Sequence, residues 1–364
     1  MRIVIKVGTS TLTGGTAALN RQRMLELVQQ IARLHQQGHE LVLVSSGAQA
    51  AGRERLGFPQ PDRSVPAKQM LCAVGQGRLI QLYNDLFDIF GIVIGQVLLT
   101  RGDLDHRMRY LNARDTLLAL IERRIVPVIN ENDTTATDEI RVGDNDNLSA
   151  LVANLLEADL LALLTDQPGL FTADPRHSAD ASLIAQVERV DQDTLALAGG
   201  VGSGVGTGGM RTKIQAAQLA SRSGVTTIIA AGGEPDVLLR LVAGEPLGTR
   251  FAPAASHLEG RKRWLLAEQP RGAVSVDAGA ADRLRTGGAS LLPVGVTAVE
   301  GEFERGEPLA VRAPDGAAVA HGLTNYSSDD LRRLRGAQSH RIIEILGYSY
   351  GDAVIHRNNL VLLV

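Results

Sequence analysis

Arg2-Ile3-Val4-Ile5-Lys6-Val7-Gly8-Thr9-Ser10 is a short β-branched run that breaks into a turn of small residues, the pattern of a buried strand ending at a loop. The pattern recurs along the chain. Leu41 to Val44 stops at Ser45-Ser46-Gly47-Ala48, Ile92 to Leu98 at Thr100, Val126 to Ile129 at Asn130-Glu131-Asn132-Asp133, and Leu160 to Leu164 at Thr165-Asp166; Thr226 to Ala230 is a further run of this kind. Helical segments alternate with these runs: Asn20 is placed to cap a helix carrying Met24, Leu27, Val28, Ile31 and Leu34, which Gly38 ends. Continuous apolar strands alternating with helices predict an α/β fold, a three-layer αβα sandwich around a mainly parallel central sheet. Ligands of such sheets gather beyond the carboxyl ends of the strands. Lys6 to Ser10, Ser46-Gly47, Asn130 to Asp133 and Thr165-Asp166 all fall at that edge, which is therefore the expected functional one.

Gly204-Val205-Gly206-Thr207-Gly208-Gly209-Met210-Arg211-Thr212-Lys213 reads as a glycine loop opening onto a helix through Ile214, Ala217 and Ala220 that Gly224 ends. Missing Cβ atoms let backbone N–H groups approach an anion closely, and the helix N-terminus with Lys213 one turn in adds positive charge, so the stretch suits phosphate. It is not a P-loop, because Thr212 instead of glycine precedes the lysine. Gly204, Gly206 and Gly209 match G-x-G-x-x-G, yet no strand precedes them and no acid follows at the distance a ribose needs, so a dinucleotide fold is not expected.

Val142-Gly143-Asp144-Asn145-Asp146-Asn147-Leu148-Ser149 is expected to form a tight turn whose Asp and Asn side chains cap the apolar helix that follows. A calcium loop fails on spacing: counted from Asp144, the sixth position is Ser149 instead of glycine and the twelfth Leu155 instead of glutamate. So dense a cluster of acids and amides exceeds the needs of one cap and suits an ammonium, a lysine or a metal. His35 and His39 are four apart but flank Gly38 with no Glu after His35, so a zinc helix is not expected, and no Ser-His-Asp or Cys-His nucleophile pair is evident.

At 364 residues and 44% apolar content the chain has room for about two domains. A net charge of -3 gives no global attraction to nucleic acid or anionic membrane. Cys72 is the only cysteine, which excludes an internal disulfide and fits a reducing compartment. Met1 leads directly into the first strand without the pattern of a signal peptide, and Ile89 to Leu99 is too short and too interrupted by glycine to span a membrane, so a cytoplasmic location is expected. Of 37 basic residues only Lys6, Lys68, Lys213 and Lys262 are lysine, and two of these lie in the expected phosphate-binding stretches.

The alternating grammar stops near Arg250 to Pro270, where Pro253, Pro270 and Glu259-Gly260-Arg261-Lys262-Arg263 mark a boundary. Beyond it, Ala273 to Val276, Val294 to Val299, Pro308 to Val311 and Ala317 to Ala320 are short strand-like pieces separated by glycine turns. The expected organisation is a catalytic domain over 1–254, a linker over 255–270 and a small mainly-β domain over 271–364. That last part carries 10 Arg, no Lys and 11 Asp plus Glu, so its charge does not indicate a nucleic-acid face.

Read in order, Lys6 to Ser10, Ser45 to Ala48, Asn130 to Asp133, Gly143 to Asn147, Leu164-Thr165-Asp166-Gln167 and Gly206 to Lys213 resemble the amino acid kinase family. The segment Gly169-Leu170-Phe171-Thr172-Ala173-Asp174-Pro175-Arg176 brings the resemblance closest to its bacterial glutamate-phosphorylating branch. Gly287 to Pro293, Gly301 to Gly306 and His356 to Asn359 resemble a PUA domain. Two positions depart from the family pattern: Gln49 stands where an aliphatic residue is usual, and Phe171 where tyrosine is frequent.

The resemblance implies ATP-dependent phosphorylation of the γ-carboxylate of L-glutamate in proline biosynthesis. Lys6, Lys213 and Asp146 are the implied catalytic residues, the lysines bracketing the transferred phosphoryl with help from N–H groups of Gly8, Gly208 and Gly209. Ser46, Gly47, Asn132, Asp133 and Asn145 would bind the amino acid. Lys6, Gly8, Thr165, Asp166 and the run Thr207, Gly208, Gly209, Met210, Arg211, Thr212, Lys213 would bind nucleotide, with Mg2+ carried mainly on the phosphates and no dedicated metal ligand in the protein. Feedback inhibition by proline through the Thr134 to Arg141 loop, assembly as a homodimer or homotetramer, and no membrane partner are further implications. The competing readings are another acid kinase of the same fold, such as an N-acetylglutamate kinase, and an RNA-binding role for the PUA-like domain.

Overall fold

The structure is a computed structural model that describes the chain except residues 59–63, 137–144, 176, 179, 199–208, 255–268, 287 and 364. The chain divides into two compact units, Met1–His106 with Asn112–His257, and Arg107–Leu111 with Leu258–Val364.

In the first unit the described elements run β1 (Arg2–Val7), α1 (Thr9–Thr13), α2 (Arg21–Gln36), β2 (Glu40–Ser45), α3 (Ala48–Arg55), α4 (Val65–Asp88), β3 (Ile94–Leu99), α5 (Arg101–Asp105) and α6 (Arg107–Glu122), whose first residues fall in the second unit. They continue with β4 (Val126–Glu131), α7 (Asn145–Leu156), β5 (Leu160–Thr165), β6 (Gln186–Val187), α8 (Gln192–Leu197), α9 (Met210–Arg222), β7 (Thr226–Ala231), α10 (Val237–Val242) and β8 (Thr249–Phe251). The strands form one sheet in the order β3-β4-β2-β1-β5-β7-β8-β6. From β3 to β7 all pairings are parallel, as continuous apolar runs require; β8 runs antiparallel to β7, and β6 pairs parallel to β8.

β1 and β5 sit at the centre, and Ile3, Ile5, Leu161 and Leu163 have no exposed surface. Each such side chain contributes about 1.5–3 kcal/mol of burial free energy relative to exposure. Helix α2 begins where Asn20 Oδ1 accepts the Arg23 N–H at 3.1 Å, and it presses Met24, Leu27, Val28, Ile31 and Leu34 onto the sheet core. Helices α3 and α4 meet backbone to backbone: a Cβ on Gly75 would lie 1.8 Å from the Ala48 carbonyl oxygen, and one on Gly52 1.9 Å from that of Leu71. Any larger residue at either position would force the two helices apart, and α4 carries Cys72, Gln76 and Tyr83 towards the carboxyl end of the sheet.

The second unit holds β9 (Gly272–Val276), α11 (Ala278–Arg285), β10 (Val296–Glu300), β11 (Pro308–Arg312), β12 (Ala318–Leu323), α12 (Ser328–Leu334), α13 (Ile342–Leu346) and β13 (Leu360–Leu362). Its sheet order is β10-β9-β11-β12-β13, with only β9 and β11 parallel. Val274, Leu309, Val311, Tyr326, Leu334 and Val354 form its own core. Among the described residues no helix is long and apolar enough to cross a membrane.

Candidate active site

The carboxyl ends of β1, β2, β4 and β5 lie on one edge because these strands are parallel neighbours in the sheet. Two helices bring their first turns there. Asp146 and Asn145 open α7, and Thr212 and Lys213 lie in the first turns of α9. Small residues pack α7 on α9, with Ala150, Ala153, Ala216 and Ala217 all buried, and the Asn154 side-chain N–H donates to the Leu219 carbonyl at 3.2 Å.

This packing leaves Asp146 without exposed surface between two lysines. Its Oδ1 lies 2.5 Å from Lys6 Nζ, and its Oδ2 accepts from Lys213 Nζ at 3.2 Å. Thr212 Oγ1 is 2.7 Å from the same Oδ2 and 2.8 Å from the Gly209 carbonyl oxygen, so its single proton serves one of the two. Burial alone would raise the Asp146 pKa, but the Lys6 and Lys213 ammonium groups outweigh it and hold the carboxyl well below the usual carboxylate range. Asp146 is therefore a fixed anion. α7 begins at Asn145, and Asp146 pairs with side chains 140 residues and 67 residues away in sequence, the lysine-holding arrangement that so dense a cluster of acids and amides suits. Val142, Gly143 and Asp144 lie outside the described residues.

Beside this group is a cluster of amides. Asn145 Nδ2 donates towards the Ser45 carbonyl at 3.3 Å, Ser46 Oγ at 3.1 Å and Asn130 Oδ1 at 2.9 Å. Asn130 Nδ2 donates to Gln76 Oε1 at 2.7 Å, and Ser45 Oγ pairs with the buried Tyr83 hydroxyl at 2.8 Å. Gly47 turns the chain from β2 into α3 with a φ of 103°, a left-handed conformation that favours glycine. Gln49, the departure from the family pattern, is exposed on α3 and so does not disturb the packing beneath the loop.

Asn132 and Asp133 follow β4. Asn132 Oδ1 accepts from the Thr134 hydroxyl at 2.6 Å, and its carbonyl accepts the Thr135 and Ala136 N–H groups, both at 3.0 Å. Asp133 is hydrogen-bonded to the Cys72 side chain; burial, and then the negative charge of Asp133, push the Cys72 thiol up, so it remains protonated and donates. Of the loop over Thr134 to Arg141, residues 137–141 are outside the described ones.

On the opposite flank Thr165 is buried at the end of β5, with its hydroxyl donating to Asp166 Oδ1 at 3.0 Å, while Asp166 is exposed. Gly209 precedes α9 in extended conformation, Met210 is half-buried and Arg211 exposed; Thr207 and Gly208 lie outside the described residues. The Gly8 N–H donates to the Leu164 carbonyl at 3.4 Å, which occupies the donor expected to face a phosphoryl group. Lys6, Asp146, Thr212 and Lys213 thus meet in one group, and Ser46 and Asn145 in an adjoining one. Asn130 was expected at the functional edge but without a role of its own, and Gln76, Tyr83 and Cys72, all on α4, were not among the expected site residues.

A dedicated metal cage does not fit this donor set. Among the described residues no group of three or more His, Cys, Asp or Glu could hold an ion, and Asp146 is committed to two ammonium groups. Magnesium, which keeps several waters and takes one or two carboxylates plus phosphates, fits as an ion carried by a nucleotide.

The model of the amino acid kinase family matches residues 1–231, and that of the PUA domain residues 272–346. A protein of Herpetosiphon aurantiacus named glutamate 5-kinase is 57% identical over 99% of this chain and 98% of its own length. Proteins of the same name from Deinococcus radiodurans and Klebsiella pneumoniae are 55% identical over 100% of both chains, and 54% identical over 99% of this chain and 98% of theirs.

Proposed function

The chain belongs to the amino acid kinase family, and from that premise we propose that it transfers the γ-phosphoryl group of ATP to the γ-carboxylate of L-glutamate, forming γ-glutamyl phosphate and ADP for proline biosynthesis. The observation that carries this reading is the buried Lys6-Asp146-Lys213 cluster at the carboxyl edge of a parallel sheet. A side-chain carboxyl with a reference pKa of about 4.3 is already ionised at neutral pH, so the nucleophile needs no general base. The barrier is anion meeting anion, and what lowers it is fixed positive charge and alignment.

Lys213 supplies such charge. Asp146 takes one of its three ammonium protons, and the others are donors for phosphate oxygens. Lys6 takes the same role from the β1 side. Asp146, itself proton-free, fixes both ammonium positions through charge-assisted bonds. Ser46, Gly47, Asn132, Asp133 and Asn145 hold the amino acid, with Asp133 facing the α-ammonium; Thr165, Asp166 and the run from Thr207 to Lys213 hold the nucleotide. Bound magnesium would neutralise phosphate charge.

The test is ADP release with L-glutamate, N-acetyl-L-glutamate and L-aspartate, with hydroxylamine present to trap an acyl phosphate as its hydroxamate. Turnover with L-glutamate alone is expected. Turnover only with the acetylated acid would keep the phosphate chemistry and overturn the role of Asp133. Proline inhibition through the Thr134 to Arg141 loop is part of the same reading, and an unchanged rate at low glutamate and millimolar proline would remove it.

A further inference from the structure

The amides of Gln76, Asn130 and Asn145 form a chain of fixed direction. Glu131 N–H can only donate, and Asn130 Oδ1 accepts it at 2.9 Å, so the Asn130 nitrogen must point the other way, onto Gln76 Oε1 at 2.7 Å. The Ser45 carbonyl can only accept, and it faces the Asn145 nitrogen together with Ser46 Oγ and Asn130 Oδ1. Two backbone groups of opposite polarity therefore orient both asparagines. What remains is Asn145 Oδ1, shielded from solvent and without a hydrogen-bond partner among the described residues. A buried carbonyl oxygen lacking a donor carries a free-energy cost that a ligand N–H recovers.

We infer that Gln76 is a positioning residue which, through Asn130, holds the Asn145 side-chain oxygen as the acceptor for the α-ammonium of the amino-acid substrate. The inference rests on the proposed amino-acid substrate. Among the polar groups of such a substrate at neutral pH the α-ammonium is the donor, while both carboxylates only accept. Were the Asn145 amide turned over, its NH2 would face the ammonium and repel it. Asn130 reinforces the Ser45 carbonyl in preventing that turn by offering an oxygen to the Asn145 nitrogen, and Gln76 reinforces the Glu131 N–H in keeping the Asn130 oxygen there by taking the Asn130 N–H. Gln76 is partly exposed on α4, in the part of that helix lodged against α3 by Gly75.

The experiment compares Gln76→Leu and Gln76→Glu with the wild-type chain in steady-state kinetics, with thermal unfolding as a check on the fold. Leucine removes the acceptor, and because hydrogen bonds to charged groups are the strong ones, KM for L-glutamate is expected to rise about tenfold while kcat and KM for ATP stay within about twofold. Glutamate at position 76 keeps an acceptor oxygen, so Gln76→Glu is expected to restore KM to within about twofold of wild type. An unchanged KM in Gln76→Leu, a parallel loss in kcat and in KM for ATP, or a Gln76→Glu variant as impaired as the leucine one would overturn the positioning role. A wild-type chain that turns over no L-glutamate would overturn the proposed substrate and this inference with it, whereas an active wild type with an insensitive Gln76→Leu overturns the inference alone.

Discussion

In the first unit Asp146, with no exposure, holds Lys6 and Lys213, whose side chains are 5% and 6% exposed. In the second unit Arg332 meets Glu302 at 2.7 Å and Asp329 at 2.8 Å, but these side chains are 40%, 79% and 83% exposed. The contact distances are alike. The physics is not, because water and salt screen the second group and leave the first at full strength. Contact distance is thus a poor guide to which charges matter, and burial a good one. A protein retains three charged side chains away from water only when some other requirement offsets the desolvation cost, and binding phosphate is such a requirement.

The contrast can be broken at several points. Lys213→Ala and Lys6→Ala should each lower turnover by about a hundredfold or more with the fold intact, since each removes charge aimed at the transferred group. Steady-state rates that stay above about a tenth of wild type would place the cluster among structural ion pairs. Asp146→Ala removes the carboxylate that lies between two buried ammonium groups and should cost about 3–5 kcal/mol in urea unfolding. The pH dependence follows in sign. Asp146 has a folded pKa well below the ordinary carboxylate range, so its contribution to stability is fully present above that range and is lost as pH falls through the folded value. The stability gap between wild type and Asp146→Ala should therefore be flat at neutral pH and close only in strong acid. Tyr83→Phe removes the partner of Ser45 beneath the amide cluster and should cost about 1 kcal/mol. Smallest of all, Arg332→Ala should leave the thermal midpoint unchanged within error at physiological salt, and a clear drop would show that the exposed pairs of the second unit count for more than their exposure implies.

Much of the fold is legible because continuous apolar strands have few alternatives. Each expected run, from Arg2 to Val7 through to Thr226 to Ala230, is a strand of the central sheet, and the four expected pieces after Ala273 are strands of the second. β8 and β6 are not legible, since three and two residues are too short to show a period, and their direction depends on β7. Lys6, Asp146 and Lys213 each stand out in sequence by type and setting, but their meeting is implied only by the family resemblance and not by residue spacing, because it depends on the packing of α7 on α9. The amide chain is hidden for the same reason. Gln76 and Asn130 are 54 residues apart, and they meet only because Gly52 and Gly75 let α4 settle onto α3.

The most direct test of the central claim is acyl phosphate formation by Asp146→Asn, trapped by hydroxylamine and set against wild type, with circular dichroism confirming the fold. An asparagine fills the same space but carries no charge to hold two ammonium groups, so hydroxamate should fall by about a hundredfold or more while secondary structure is retained. A folded Asp146→Asn chain forming hydroxamate at more than about a tenth of the wild-type rate would contradict the claim that this carboxylate organises the phosphoryl-transfer site.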